Sequence, residues 1–136
     1  MYLGIAQGAL AFAKTYSASK TRAWPTDCGG LGLSRGSDEW YIQETYGSLY
    51  ATLRASEALV DLTGAQISSL AHRPRDSVTE EERAQVAVDV ATAKVSIVDH
   101  GLALTSKIFE LTGARATASS VGLDRFWRNI RVHTLQ

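Results

Sequence analysis

The chain has 136 residues, 45% of them hydrophobic, which suits one globular domain with its own core. Its 14 Lys and Arg residues balance its 14 Asp and Glu residues, so the net charge is zero and we expect neither a nucleic acid nor a membrane surface as a partner. The single cysteine, Cys28, excludes an internal disulfide and is typical of a reducing, cytoplasmic setting.

The first predicted element is an amphipathic helix that runs to about Ser17. Its apolar residues recur every three or four positions, as on one face of a helix, at Ile5, Ala9, Phe12 and Tyr16. The segment has no basic leading region, and glycine and glutamine interrupt its apolar stretch. We therefore predict neither a signal peptide nor a membrane helix here.

A loop rich in glycine is predicted from Ala18 to Ser37. Loops of this length in compact domains are commonly functional. Its Gly29-Gly30-Leu31-Gly32 segment does not fit a phosphate-binding loop, because no strand precedes it and no Gly-Lys-Ser/Thr follows it. Cys28 has no neighbouring His or Lys to activate its thiol, so we interpret it as an ordinary loop cysteine.

The second predicted helix begins with Ser37 as its N-terminal cap. Asp38 and Glu39 then lie in the first turn, where their charges complement the positive end of the helix dipole. The helix extends to Leu62 or beyond, and Pro74 ends whatever remains of it. Its predicted buried face consists of Ile42, Tyr46, Leu49, Tyr50, Leu53 and Val60.

The third predicted helix is the longest and begins with a capping box formed by Thr79 and Glu82. It keeps helical phase for about thirty residues, until Gly113 ends it. Its main apolar face consists of Val86, Val90, Ala93, Ile97, Leu104, Ile108 and Leu111. A second apolar stripe comprises Val88, Val95, Leu102 and Phe109. A helix that is apolar on two faces is expected to be central in the bundle or shared with another subunit.

The fourth predicted helix begins near Ser120 and continues to the end of the sequence. Its apolar residues are Leu123, Phe126, Trp127, Ile130 and Leu135. With four helices and almost no strand signal, the sequence predicts an all-α fold, an antiparallel four-helix bundle that forms a single domain over residues 1–136.

Few residues suggest chemistry by their spacing alone. His72, His100 and His133 are too far apart to predict one site, and no metal-binding motif occurs. We expect His100 to be a partly buried, hydrogen-bonded side chain. The turn from Gly113 to Thr117 combines small residues with Arg115 and has two interpretations. It is either an anion-binding turn or an ordinary interhelical turn with a solvent-facing arginine.

The order of these signals resembles the C-terminal domain of the acyl-CoA dehydrogenase superfamily over nearly the whole chain. The Leu3-Gly4-Ile5-Ala6-Gln7-Gly8-Ala9-Leu10 segment is similar to the first helix of that domain. Thr21-Arg22-Ala23-Trp24-Pro25 and the segment from Leu123 to Leu135 resemble its flavin-dependent monooxygenase branch, typified by dibenzothiophene-desulfurising enzymes. The resemblance implies that this bundle is a fragment whose two N-terminal domains, one helical and one β, hold most of the flavin.

The resemblance also implies roles for four residues. Arg22 and Arg115 are expected near the phosphate of FMN. The dehydrogenase motif Gln-x-x-Gly-Gly is matched only at Gly113, so Gly113 is carried over as a cofactor-binding residue while the remaining contacts to an FAD adenine are not. His133 matches the first histidine of a His-Thr-Leu-His motif and is the expected catalytic residue, although Gln136 replaces the second histidine.

The resulting hypothesis is a monooxygenase that uses reduced FMN from a separate flavin reductase, with dioxygen, on a small sulfur- or nitrogen-containing substrate. The family resemblance further implies a homo-oligomer, either a dimer or a tetramer, in which one bundle reaches a neighbour's flavin. One alternative is an FAD-dependent enzyme like the acyl-CoA dehydrogenases, and another is a non-catalytic helical domain for subunit association. Against dehydrogenation, the C-terminal segment has no carboxylate in place to remove an α-proton.

Overall fold

The computed structural model describes residues 1–25 and 32–135, which contain four α-helices and no strand. Cys28, the Gly29-Gly30-Leu31 segment and Gln136 lie outside the described residues. Along the described part of the chain, no helix is long and apolar enough to cross a membrane. The helices are α1 (Tyr2–Lys20), α2 (Trp40–Ala71), α3 (Glu80–Thr112) and α4 (Asp124–Thr134).

Helices α1 and α2 run in opposite directions. The Tyr46 hydroxyl donates to the Leu10 carbonyl over 2.7 Å, while Gln7 Nε2 donates to Glu57 Oε1 over 3.0 Å. The earlier residue of α1 therefore contacts the later residue of α2, as antiparallel helices require.

The other two helices continue this alternation. Ser17 Oγ, near the end of α1, donates to the Leu111 carbonyl near the end of α3 over 2.7 Å, so these two helices run in the same direction. The Tyr2 hydroxyl, at the start of α1, donates to the His133 carbonyl near the end of α4 over 2.9 Å. The prediction of an all-α, antiparallel four-helix bundle is confirmed.

Glycines allow α4 to pack closely against α1 and α3. A Cβ atom added at Gly101 would lie 2.9 Å from Ile130 Cδ1, and one added at Gly8 would lie 3.1 Å from Phe126 Cε1. The missing side chains at these two positions therefore leave room for Ile130 and Phe126 of α4. The core beside this contact is formed by alanines of α1 and by leucine and isoleucine side chains of α1, α2 and α3: Ala6, Ala9, Leu10, Ala13, Leu49, Leu53, Leu104, Ile108 and Leu111.

Several helix ends differ from the sequence prediction. Ser37 does not cap α2, because Gly36–Asp38 form a separate 3₁₀ turn and Glu39 occupies the N-cap position instead. Helix α1 continues to Lys20 rather than Ser17, and α4 begins at Asp124 rather than near Ser120. These ends lack a strong local signal, and their positions depend on packing.

The predicted ends of α3 are confirmed. Glu82 N–H donates to Thr79 Oγ1 over 3.1 Å, and Thr79 N–H donates to Glu82 Oε2 over 2.9 Å, which completes the capping box. At the other end, Gly113 has a φ of 75°, in the left-handed region that favours glycine.

Both apolar faces predicted for α3 include exposed side chains. Val88 and Val95 of the second stripe are 59% and 60% exposed, and Val90, from the face predicted to be buried, is also exposed. The last buried residue of α2 is Thr63 and the first of α3 is Ala93. Residues 64–92 thus form a hairpin arm without fully buried side chains among them.

Candidate functional site

Arg22 and Arg115 lie at the same end of the bundle. The hydrogen bond from Ser17 Oγ to the Leu111 carbonyl joins the ends of α1 and α3. Arg22 follows Ser17 by five residues, and Arg115 follows Leu111 by four, so both arginines leave the bundle next to this contact. We call this region the arginine end.

The segment that carries Arg22 is held by the chain that leads into α2. The Ala23 N–H donates to the Ser34 carbonyl over 3.4 Å, and the Trp24 N–H donates to Glu39 Oε1 over 2.6 Å. At Gly36, an added Cβ would lie 3.2 Å from the Arg22 carbonyl oxygen, so the absence of a side chain permits this close approach. The backbone around Arg22 is therefore fixed on one side, while its side chain is exposed.

Arg115 lies in the 3₁₀ turn Ala114–Thr117, directly after α3. Gly113 donates its N–H to the Phe109 carbonyl over 2.9 Å and accepts at its own carbonyl from the Ala116 N–H over 3.0 Å. Ala116 is fully buried and anchors the turn, whereas Arg115 is exposed. This packing aims the guanidinium away from the core.

Arg22 and Arg115 form no ion pair with a carboxylate of the described residues. Arg54, Arg73 and Arg128 each form an ion pair with a nearby carboxylate. By contrast, no carboxylate among residues 1–25 and 32–135 lies within 4.0 Å of the guanidinium of Arg22 or Arg115. Two exposed guanidinium groups of this kind have the donor chemistry to bind a phosphate dianion.

His133 lies at the opposite end of the bundle. Its ring packs edge to face on Tyr2, with 6.2 Å between the ring centroids and 89° between the ring planes. Tyr2 precedes Ser17 by fifteen residues of helix, a rise of about 22 Å at about 1.5 Å per residue. The structure therefore places Arg22, Gly113 and Arg115 at the same end of the bundle and His133 at the other.

A groove of about 730 Å³ opens between α1 and the first half of α2. Its walls include Leu10, Ile42, Tyr46, Tyr50 and Leu53, so it is mainly apolar. Tyr50 was predicted to be buried, but it is 57% exposed because it borders this open groove. Tyr46 points inward to the Leu10 carbonyl, and burial raises the pKa of its hydroxyl well above the ordinary value.

Two histidines have structural roles. His100 Nδ1 lies 2.7 Å from Ser56 Oγ and is half-buried between α2 and α3, which confirms the expected core contact. His72 Nδ1 lies 2.6 Å from the Ser68 carbonyl on the exposed end of α2.

Sequence reasoning missed Glu39 at the arginine end. It was interpreted as an acidic residue in the first turn of the second helix, but it occupies the N-cap position and is only 6% exposed. One carboxylate oxygen accepts the Trp24 N–H, and the other accepts the Tyr41 hydroxyl. Nothing in the local pattern predicts these contacts, because the first spans fifteen residues across a loop.

Comparison with known proteins identifies the family. A family model described as acyl-CoA dehydrogenase, C-terminal domain, matches residues 1–135. This chain belongs to that family. Several relatives align along almost the whole length of this acyl-CoA dehydrogenase C-terminal domain.

Two such relatives are monooxygenases. The dibenzothiophene monooxygenase of Mycolicibacterium goodii is 37% identical over 135 residues, which are 99% of this chain and 31% of that protein. A probable FMNH2-dependent monooxygenase, SfnC, of Pseudomonas putida is 33% identical over 135 residues, 99% of this chain and 33% of that protein. The domain thus spans about a third of the length of the curated relatives it matches.

Solved structures have the same fold as this acyl-CoA dehydrogenase C-terminal domain. FMN-bound TdsC from Paenibacillus sp. A11-2 aligns with a TM-score of 0.89 and 38% identity, over 98% of this chain and 32% of TdsC. Methanesulfinate monooxygenase MsuC from Pseudomonas fluorescens aligns with a TM-score of 0.92 and 36% identity, over all of this chain and 34% of MsuC.

Proposed function

We propose that this chain is the C-terminal domain of a longer flavin-dependent monooxygenase that oxygenates a small sulfur- or nitrogen-containing compound. The similarity to monooxygenases along 98% or more of the chain, at 33 to 38% identity, carries this proposal. Because the chain spans about a third of these relatives, the remaining machinery would lie in other domains.

The proposed cofactor is FMN, which has a single phosphate group. The exposed guanidinium groups of Arg22 and Arg115 would bind this phosphate, and Gly113 would let the turn approach it without a side chain in the way. When bound in its reduced form, FMN supplies the two electrons with which one atom of dioxygen enters the substrate and the other leaves as water. A separate flavin reductase in the cytoplasm would provide reduced FMN.

His133 is the proposed catalytic residue at the other end of the bundle. An imidazole side chain can act as a general acid or base, and this ring packs edge to face on Tyr2. Since about 22 Å of helix separates His133 from the arginine end, one bundle would serve two different flavins in an oligomer. The arginines would reach one flavin and His133 another.

A homo-oligomer, a dimer or a tetramer, is the proposed assembly. The exposed Val88 on the hairpin arm and Val95, just beyond the arm on the same helix, provide an apolar surface that a second subunit would cover. An oligomer is also required if the arginines and His133 of one bundle are to serve two different flavins.

The proposal is tested with the full-length protein, a flavin reductase, NADH and FMN under ¹⁸O-labelled dioxygen. Dibenzothiophene, methanesulfinate and indole serve as probe compounds, and mass spectrometry detects labelled products. We expect at least one probe compound to gain one labelled oxygen atom. Consumption of that compound should depend on FMN. Oxidation of an acyl-CoA with FAD, without incorporation of label, would instead assign the protein to the dehydrogenases.

A further inference from the structure

Glu39 is a buried carboxylate at the N-cap position of α2. The short side chains of Ser, Thr, Asp and Asn at this position accept a hydrogen bond from the first amides of their own helix. The Glu39 side chain makes no such bond. It reaches back across the loop, where Oε1 accepts the Trp24 N–H over 2.6 Å.

The second carboxylate oxygen is also occupied. The Tyr41 hydroxyl donates to Glu39 Oε2, so both oxygens of this buried group have donors. The Tyr41 ring lies edge to face against Trp40, with 6.1 Å between centroids. Burying a carboxylate is costly unless its oxygens are hydrogen-bonded, and these two donors stabilise its position.

Glu39 holds the backbone segment that carries Arg22. Trp24 is two residues after Arg22, and between them the Ala23 N–H makes only a long bond of 3.4 Å to Ser34. On the other side, the Thr21 hydroxyl donates to the Ser17 carbonyl over 2.6 Å, at the end of α1. The backbone on either side of Arg22 is therefore held by a hydrogen bond, one to the end of α1 and one to the Glu39 carboxylate.

We propose that Glu39 is a positioning residue that fixes the Arg22 guanidinium for binding a phosphate. The proposal rests on the proposed function of Arg22 at the FMN phosphate. Glu39 does not touch the cofactor in this account. It restricts the backbone of the Arg22 segment, so that less conformational freedom is lost when the phosphate binds.

Two conservative substitutions separate the position of the Glu39 carboxylate from its charge. Glu39→Asp keeps the charge but shortens the side chain by one methylene, so the bond to Trp24 N–H is lost. Glu39→Gln loses the charge but keeps the reach, because its amide oxygen can still accept from Trp24 while its NH2 group donates to the Tyr41 oxygen. Glu44→Asp, an exposed glutamate of the same helix, is the matched control.

The dissociation constant for FMN is measured with the full-length protein by flavin fluorescence. We expect Glu39→Asp to raise it up to about tenfold, because the freed Arg22 segment must be ordered when FMN binds, and Glu39→Gln to raise it by less than about threefold. Glu44→Asp should leave it unchanged. Hydrogen exchange at the Trp24 amide should accelerate in Glu39→Asp and stay slow in Glu39→Gln.

A double-mutant cycle with Arg22→Ala decides whether Glu39 acts through Arg22. We expect Glu39→Asp to have no further effect on FMN affinity once Arg22 is removed. An equal effect in both backgrounds, or no effect in either, would overturn the positioning role while leaving Arg22 as a cofactor contact. If Arg22→Ala itself leaves FMN affinity unchanged, the proposed contact to phosphate fails, and the role of Glu39 fails with it.

Discussion

Ser17→Ala is expected to destabilise the bundle by removing the hydroxyl that joins α1 to α3. Ser17 is 2% exposed, and its Oγ lies 2.7 Å from the Leu111 carbonyl and 2.8 Å from the Ala13 carbonyl. Ala13 is inside α1, where its carbonyl can also accept an intrahelical amide. Leu111 is in the last turn of α3, whose carbonyls lack intrahelical partners.

In Ser17→Ala, the Leu111 carbonyl therefore loses its hydrogen-bond donor and would be buried without a partner. Such a group costs about 1 to 3 kcal/mol, and the higher helix propensity of alanine offsets a few tenths of this. We expect a net loss of about 1 to 2 kcal/mol in the free energy of unfolding. Because the same hydroxyl joins the helix ends that lead to Arg22 and Arg115, FMN affinity of the full-length protein should fall as well.

Ser19→Ala is the matched control for this prediction. Its Oγ donates to the Thr15 carbonyl over 2.7 Å within the same helix, but it is exposed and makes no bond to α3. Urea unfolding of the 136-residue chain, followed by circular dichroism at one protein concentration, should show a change within about 0.5 kcal/mol for Ser19→Ala. Equal losses in the two variants would refute the role assigned to the contact between helices.

Three further predictions concern charged groups. Arg115→Ala should raise the FMN dissociation constant of the full-length protein about ten- to a hundredfold, and Arg115→Lys should recover part of the lost affinity. An unchanged dissociation constant of Arg115→Ala in fluorescence titrations would make Arg115 an ordinary turn residue. His133→Ala should spare FMN affinity but lower turnover at least about tenfold, and equal turnover in steady-state assays would remove its catalytic role. The hydrogen bond from Arg73 lowers the pKa of Glu82 from 4.5 to about 2, so this pair stabilises the chain above pH 4.5 and the stabilisation is lost as the pH falls towards 2. Acid unfolding of Glu82→Gln should therefore depend less on pH across that range than unfolding of the parent chain.

Local signals in the sequence predict most of the helices. The capping box at the start of α3 involves two residues three positions apart, and the glycine that ends the helix needs only its own backbone conformation. Helical spacing likewise predicts the buried faces of Leu104, Ile108 and Leu111. These features depend on neighbours along the chain, so a sequence contains the information for them.

Contacts that join distant parts of the chain are harder to predict from the sequence. The bond between Ser17 and Leu111 spans 94 residues, and no pattern around either residue predicts it. Glu39 resembles any acid in a first turn until its partner across the loop is known. The start of α2 was misplaced for the same reason, since the 3₁₀ turn before it depends on packing of Gly36 against Thr21.

The separation of His133 from the arginines follows from topology alone. In an antiparallel bundle of four helices, the first and third helices end together, and the fourth ends where the first begins. Arg22 and Arg115 follow the ends of α1 and α3, whereas His133 is near the end of α4. Similarity to a family suggests which residues matter, but only the direction of the helices tells which of them share an end.

The hairpin arm is where local unfolding of the chain should begin. Residues 64–92 form two helical segments joined by a short connection, with no fully buried side chain among them. A pair of helices without its own core has a low free energy of local unfolding, well below that of the bundle. Amide hydrogens in the arm should therefore exchange early in a dilute, unassociated chain. When another subunit covers Val88 and Val95, the same amides should be protected, so that their exchange rate measures assembly rather than folding.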